Sequence, residues 1–302
     1  MEGKVEFHVP GVSASCQTWY KVVGDLNSPG STPLIILHGG PGASHDYLLP
    51  LTDLAPDIPL VFYDQIGGGR STHLPDRAGD EAFWTADLFV RELDNLLAHL
   101  NLRDRPVDLY GHSWGGVVVT AWASTPSSST NLRRLVISNI SASMDLHRAG
   151  IATLRKRLPE DAQAALDRGE AENDFTSPEY QAALEVFSKR HLSLARPWPP
   201  KEVQDLLQWA AEGWYVYTTV FGPNSLLPIG SIRNWTAIPS LPKIKVPTLV
   251  IDGAEDTPSE AMQPFFDLIE KAKWITLDNA AHMSHVDQRE KYMKQLQRFL
   301  AA

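Results

Sequence analysis

The sequence predicts an α/β fold: a mostly parallel sheet with helices on both faces and a helical segment inserted into it. Short apolar runs at 34–37, 60–63, 107–110, 135–138, 248–251 and 274–277 are bounded by Gly, Pro or Asp. Short runs that are mostly apolar, without strict alternation, are those of strands buried on both faces. Between the second and third runs, Leu93, Leu96, Leu97 and Leu100 fall at i, i+3, i+4 and i+7 and mark one apolar stripe of a helix. The alternation of strand and helix stops after residue 140 and resumes only near residue 240.

Further helices are predicted at 115–123 and 287–300. The intervening stretch has a different texture. Amphipathic pieces at 178–191 and 201–214 are broken by Arg196-Pro-Trp-Pro-Pro200 and by Gly222-Pro223. The expected organisation is a core formed by 1–140 and 241–302 and a helical cap domain over 141–240, the latter being roughly the size of a small domain. The insertion carries Trp198, Trp209, Trp214, Tyr215, Tyr217, Phe221 and Trp235. These rings are expected chiefly to pack the insertion, with Trp214 and Tyr215 the candidates for lining a pocket.

A chain of 302 residues with 43% hydrophobic and 21% charged side chains can bury a sizeable core. Its 27 Lys and Arg against 36 Asp and Glu leave a formal charge of −9, which repels phosphate backbones, so nucleic acid is an unexpected partner. The single cysteine, Cys16, has no intrachain disulfide partner and is compatible with a reducing compartment. No run approaches the ~20 apolar residues of a membrane span, and the N-terminus lacks the pattern of a secretion signal. A cytoplasmic location with no membrane partner is the expectation; oligomeric state is left open.

The chemistry begins at Tyr110-Gly-His-Ser-Trp-Gly-Gly116, where a strand gives way to a helix through Gly-x-Ser-x-Gly. Such an elbow exposes the hydroxyl of its serine, Ser113, on a strained turn, and its glycines remove side chains where strand and helix converge. After the first strong strand comes Leu37-His-Gly-Gly-Pro-Gly42, with Gly39 and Gly40 able to present unobstructed amides. The Gly40 and Trp114 amides are the candidate oxyanion hole, each such donor being worth about 2.7 to 4 kcal/mol. His38 is expected to hold this loop.

A serine needs a base and the base an orienting acid, in chain order Ser, Asp, His for this architecture. Asp256 stands in the loop after the strand at 248–251; Asp252, still at the strand end, and Glu255 compete with it. In Asp278-Asn-Ala-Ala-His-Met-Ser-His285, His282 occupies the loop before the last helix and is preferred as the base. His285 is expected within or capping that helix, as a polar residue near the site entrance.

Taken together, His38-Gly-Gly-Pro-Gly42, Asp64-Gln-Ile-Gly-Gly-Gly-Arg-Ser71, Gly111-His-Ser-Trp-Gly-Gly116 and Gly253-Ala-Glu-Asp256 resemble the proline iminopeptidase family of α/β hydrolases. Gly222-Pro-Asn-Ser225 and Gly230-Ser-Ile-Arg-Asn-Trp235 extend the resemblance into the insertion. It implies an α/β-hydrolase fold with a cap over the active site, and removal of N-terminal residues, often proline, from peptides or amides. It also implies that 64–71 is a structural loop beside the site.

The family holds a substrate ammonium with glutamates at positions where this chain has Ser225 and Thr257. A buried ammonium without an anionic partner is heavily disfavoured, so the preference for free N-termini should weaken unless Glu212, Glu255 or Glu260 substitutes. The resemblance implies an acyl-enzyme serine hydrolase acting at a small or prolyl N-terminal residue. The alternative is an amidase, esterase, lactonase or acyl-transferring enzyme for an uncharged small molecule. Substrate contacts are expected from Gly39, Trp214, Tyr215, Ser225 and Thr257, with no metal or organic cofactor. A binding protein on a retired hydrolase scaffold is the reading from another class.

Overall fold

In this computed structural model, residues 1–125, 131–224 and 226–302 are described. The six apolar runs all become strands: β3 (Leu34–Leu37), β4 (Leu60–Asp64), β5 (Val107–His112), β6 (Leu132–Ser138), β7 (Thr248–Gly253) and β8 (Ala272–Leu277). Two more precede them, β1 (Glu2–Phe7) and β2 (Cys16–Val23). The eight-stranded sheet runs β1-β2-β4-β3-β5-β6-β7-β8. The β1–β2 and β2–β4 pairs are antiparallel and all others parallel. The first of the two added strands, β1, is an edge strand, with one face covered; Val5 and Phe7 are buried between exposed neighbours. That period of two is the signal of a half-buried strand, weaker than a run that is mostly apolar.

Helices α1 (Ala86–His99) and α2 (Trp114–Ala123) follow β4 and β5. The leucine stripe of α1 buries Leu93, Leu96 and Leu97, and Leu100 closes the helix as its C-cap. Between β6 and β7 the described residues form five α-helices and no strand of the sheet: α3 (Met144–Arg155), α4 (Glu160–Glu172), α5 (Pro178–His191), α6 (Lys201–Glu212) and α7 (Trp214–Val220). The helix predicted at 201–214 breaks at Gly213 into α6 and α7. Then come α8 (Ser259–Leu268), the short α9 (Ser284–Asp287) and α10 (Arg289–Ala301).

The inserted helices own a small apolar core of Ile151, Leu154, Leu166, Tyr180, Phe187 and Leu226, among others. The aromatics named from sequence divide between packing and cavity. Trp198 packs on the core beneath one face of the sheet and Trp235 on the other. Trp209 lies under the Arg70 guanidinium, 4.9 Å from the ring centroid. Trp214, Tyr217 and Phe221 face a cavity between the insertion and the sheet's C-terminal edge. Among the described residues no helix is long and apolar enough to cross a membrane.

Candidate active site

Ser113 joins β5 to α2 with φ of 54°, a conformation that a non-glycine residue holds only when its surroundings enforce it. The enforcement is visible in the glycines on either side. A Cβ on Gly111 would meet the Gly115 carbonyl at 2.4 Å, and one on Gly115 would come closer still to the carbonyl of Leu37. Strand, helix and the 38–42 loop are thus in backbone contact around the serine. Trp114 is the first residue of α2, so its amide has no acceptor in its own helix.

The candidate acid and base are brought together from 26 residues apart: His282 Nδ1 lies 3.0 Å from Asp256 Oδ1. The other carboxylate oxygen accepts from Asn139 Nδ2 at 2.9 Å. Burial would raise the Asp256 pKa, but the charge and hydrogen bond of His282, with the Asn139 bond, hold it below the usual carboxylate value. Burial would likewise lower the pKa of half-buried His282; Asp256 outweighs it and moves the imidazole above its ordinary 6.5. Ser113, Asp256 and His282 line the same cavity of about 460 Å³.

The competitors sit elsewhere. Asp252 remains in β7, accepting from Trp274 and Thr276, and burial pushes it up to about 7. Glu255 faces Arg157 at 3.9 Å and is absent from the cavity wall. His285 is in α9 as expected, but it is fully buried rather than at an entrance; its Nε2 donates to the Tyr47 carbonyl at 3.0 Å. Burial takes it down to about 4, so it is neutral.

Three residues not singled out from sequence tie the site together. His112 Nε2 donates to the main-chain carbonyl of His282 at 2.9 Å, which leaves Nδ1 to accept from the Tyr47 hydroxyl, also at 2.9 Å. Burial, with His282 and His285 nearby, keeps His112 well below its usual pKa, in accord with a neutral ring. The Tyr47 oxygen in turn accepts the Gly39 amide at 2.6 Å. Gln65 closes the other side: Nε2 donates to the His38 carbonyl at 2.8 Å, and Oε1 accepts from Trp114 Nε1 at 2.9 Å. His38 itself holds the loop, its Nδ1 donating to the Gly39 carbonyl and its Nε2 accepting the Gln65 amide.

Of the expected substrate contacts, Gly39, Trp214 and Thr257 line the cavity, as do Gly40 and Trp114. Tyr215 does not. Its hydroxyl accepts the Leu74 amide at 2.9 Å and donates to the Gly67 carbonyl at 3.1 Å, so this side chain fastens α7 to the loop after β4. Sequence spacing could not separate it from Trp214, because adjacent helical residues point about 100° apart. Ser225 lies outside the described residues. Glu212 and Glu260 are exposed and, like Glu255, absent from the wall, where Asp256 is the one carboxylate among the described residues. Among the described residues no three His, Cys, Asp or Glu side chains converge as metal ligands.

The model of the α/β hydrolase family matches residues 34–295. A proline iminopeptidase of Lactobacillus crispatus is 32% identical over 307 aligned residues, covering 99% of this chain and 98% of its own. Among solved structures, VinJ superposes with a TM-score of 0.92 at 38% identity, covering 100% of this chain and 98% of its own. The proline iminopeptidase of Mycobacterium smegmatis gives 0.88 at 34% identity, covering 99% and 98%. The chain therefore belongs to the α/β-hydrolase family, among its proline iminopeptidase-like members, and is by that kinship a hydrolase.

Proposed function

We propose that this protein is a serine hydrolase that cleaves an amide or ester bond through an acyl-enzyme, and that its substrate presents an apolar, uncharged group to the cavity. The observation that carries the reading is the Asp256–His282 pair opening, beside Ser113, into a cavity whose wall has no other carboxylate among the described residues. Because Nδ1 of His282 is engaged by Asp256, Nε2 is the ring nitrogen left to take the Ser113 proton. The alkoxide attacks the carbonyl, and the Gly40 and Trp114 amides receive the developing oxyanion. His282 then returns the proton to the departing amine or alcohol, and water, activated by the same imidazole, releases the acyl group. Asp256 keeps the tautomer fixed and stabilises the transient imidazolium. The helices α3 to α7 act as the cap that keeps bulk water from the reacting carbonyl.

A second reading, removal of a small or prolyl N-terminal residue, is favoured by the activity named for the relatives. It requires an anionic partner for the substrate ammonium, and Thr257 offers none. The two separate in one paired assay, kcat/KM on a proline or alanine arylamide and on its N-acetylated twin. Equal or better turnover of the blocked substrate supports the uncharged-substrate reading; a strong preference for the free amine defeats it. Acyl transfer to an amine would use the same residues. A fluorophosphonate that fails to label Ser113 in folded protein would favour the binding-protein alternative over all of these.

A further inference from the structure

Four buried side-chain atoms of described residues on the cavity wall have no hydrogen-bond partner in the protein: Ser141 Oγ, His147 Nε2, the Tyr180 hydroxyl and His191 Nε2. Helix α5 sends Tyr180, Leu184, Phe187 and His191 into the cavity at steps of four, three and four residues, one face of one helix. Tyr180 and His191 are 2% and 4% exposed, yet the Tyr180 hydroxyl and the His191 Nε2 have no hydrogen-bond partner in the protein. Buried polar atoms are rarely left so, since the desolvation of each is then uncompensated. The tautomer of His191 is fixed by its other nitrogen: Nδ1 lies 2.7 Å from the Glu255 carbonyl, which can only accept, so Nδ1 carries the hydrogen and Nε2 is a bare acceptor. Burial lowers the pKa of this imidazole, which keeps it neutral.

The position is next to the reacting groups. The His191 carbonyl accepts the His282 amide at 3.0 Å, and the Leu192 carbonyl accepts that of Met283 at 2.8 Å, so the end of α5 is bound to the loop that bears the base. We propose that His191 Nε2 forms a polar subsite that accepts a hydrogen bond from a neutral donor on the substrate, an O–H or an amide N–H carried on an otherwise apolar chain. The inference rests on the cavity being the substrate site and deepens that reading. With Asp256 the one carboxylate on the wall among the described residues, a neutral acceptor at His191 rewards an uncharged donor and gives an ammonium no counter-charge.

The test uses Ser113→Ala protein, to prevent turnover, and tryptophan fluorescence to follow binding of hexanamides that carry a hydroxyl, a methoxy or an ammonium group at each of carbons 2 to 6. At one position or more the hydroxyl compound binds about tenfold tighter than its methyl ether, and the ammonium compound binds weakest. Adding His191→Asn, which preserves a donor toward the Glu255 carbonyl and deletes the Nε2 acceptor, brings hydroxyl and ether to equal affinity while leaving unsubstituted hexanamide unchanged. Tyr180→Phe, which removes an unpartnered hydroxyl about 16 Å away along the helix axis, leaves the discrimination unchanged. Discrimination that survives His191→Asn, or that is absent at every position, overturns the subsite. Fluorophosphonate labelling of the parent protein keeps the two readings apart. Labelling without discrimination removes the subsite alone, whereas His191-dependent discrimination without labelling removes the hydrolase reading and leaves the subsite standing.

Discussion

His112, the residue immediately before the candidate nucleophile, donates from Nε2 to the carbonyl of His282, 170 residues further along the chain, at 2.9 Å. Through Nδ1 the same ring engages Tyr47, whose oxygen receives the Gly39 amide. The loop of the candidate oxyanion hole, the nucleophile elbow and the base are therefore held by one chain of hydrogen bonds whose directions are set by donor chemistry. Buried networks of this kind rigidify a site because each member, if unpaired, leaves another without a partner.

Tyr47→Phe breaks that chain at its centre. The buried Gly39 amide loses its acceptor, at about 1–3 kcal/mol of stability. Because the loop bearing a candidate oxyanion donor is loosened, kcat should fall about tenfold. Thermal denaturation and steady-state kinetics on one arylamide check both parts.

Asp256→Asn should lower kcat by about 10⁴ with the fold intact, since an amide stabilises the wrong tautomer and no imidazolium. In the parent protein the His282 pKa is raised above 6.5 by Asp256 against the effect of burial. The base is active only when unprotonated, so activity is lost as pH falls through that raised value, and the acid limb of kcat/KM should have its midpoint above 6.5. In the Asn variant the residual activity should show that limb displaced to lower pH.

Gly213→Ala tests how the insertion is seated. A Cβ at Gly213 would fall 2.0 Å from the Gly42 carbonyl, and Gly42 itself has φ of +83°. The α6–α7 junction thus rests on the backbone of the 38–42 loop. The added methyl must push the two apart, at roughly 1–3 kcal/mol. A lower Tm with a raised KM is expected, Trp214 being the next residue on the cavity wall.

Glu92 provides a stability test away from the site. It is fully buried in α1 and accepts from Thr18 and from the Ile66 amide, yet burial pushes its carboxyl up to about 8 from an ordinary 4.5. Between those two values the unfolded chain binds fewer protons at this position than the folded one, so stability falls as pH rises. Glu92→Gln removes this dependence. The Tm of the variant relative to the parent should therefore climb from pH 5 to pH 8; a constant difference would show Glu92 to be ionised in the folded protein.

The central strands and the elements flanking the candidate triad were legible in the sequence because their signals are local. A run that is mostly apolar, a Gly-x-Ser-x-Gly step and a carboxylate just past a strand each report on a few neighbouring residues. The edge strand β1 was weaker because only one of its faces is covered, and Tyr215 passed for a cavity residue because only packing decides which neighbour on a helix turns inward. Gln65, Tyr47, His112 and His191 are different in kind. Their partners lie 8 to 170 residues away. The amino-acid order determined which reactive groups stand at strand ends. Which nitrogen of each imidazole carries its hydrogen, and which buried acceptors are left open to a ligand, was decided only when the folded chain set each group against its neighbour at hydrogen-bonding distance.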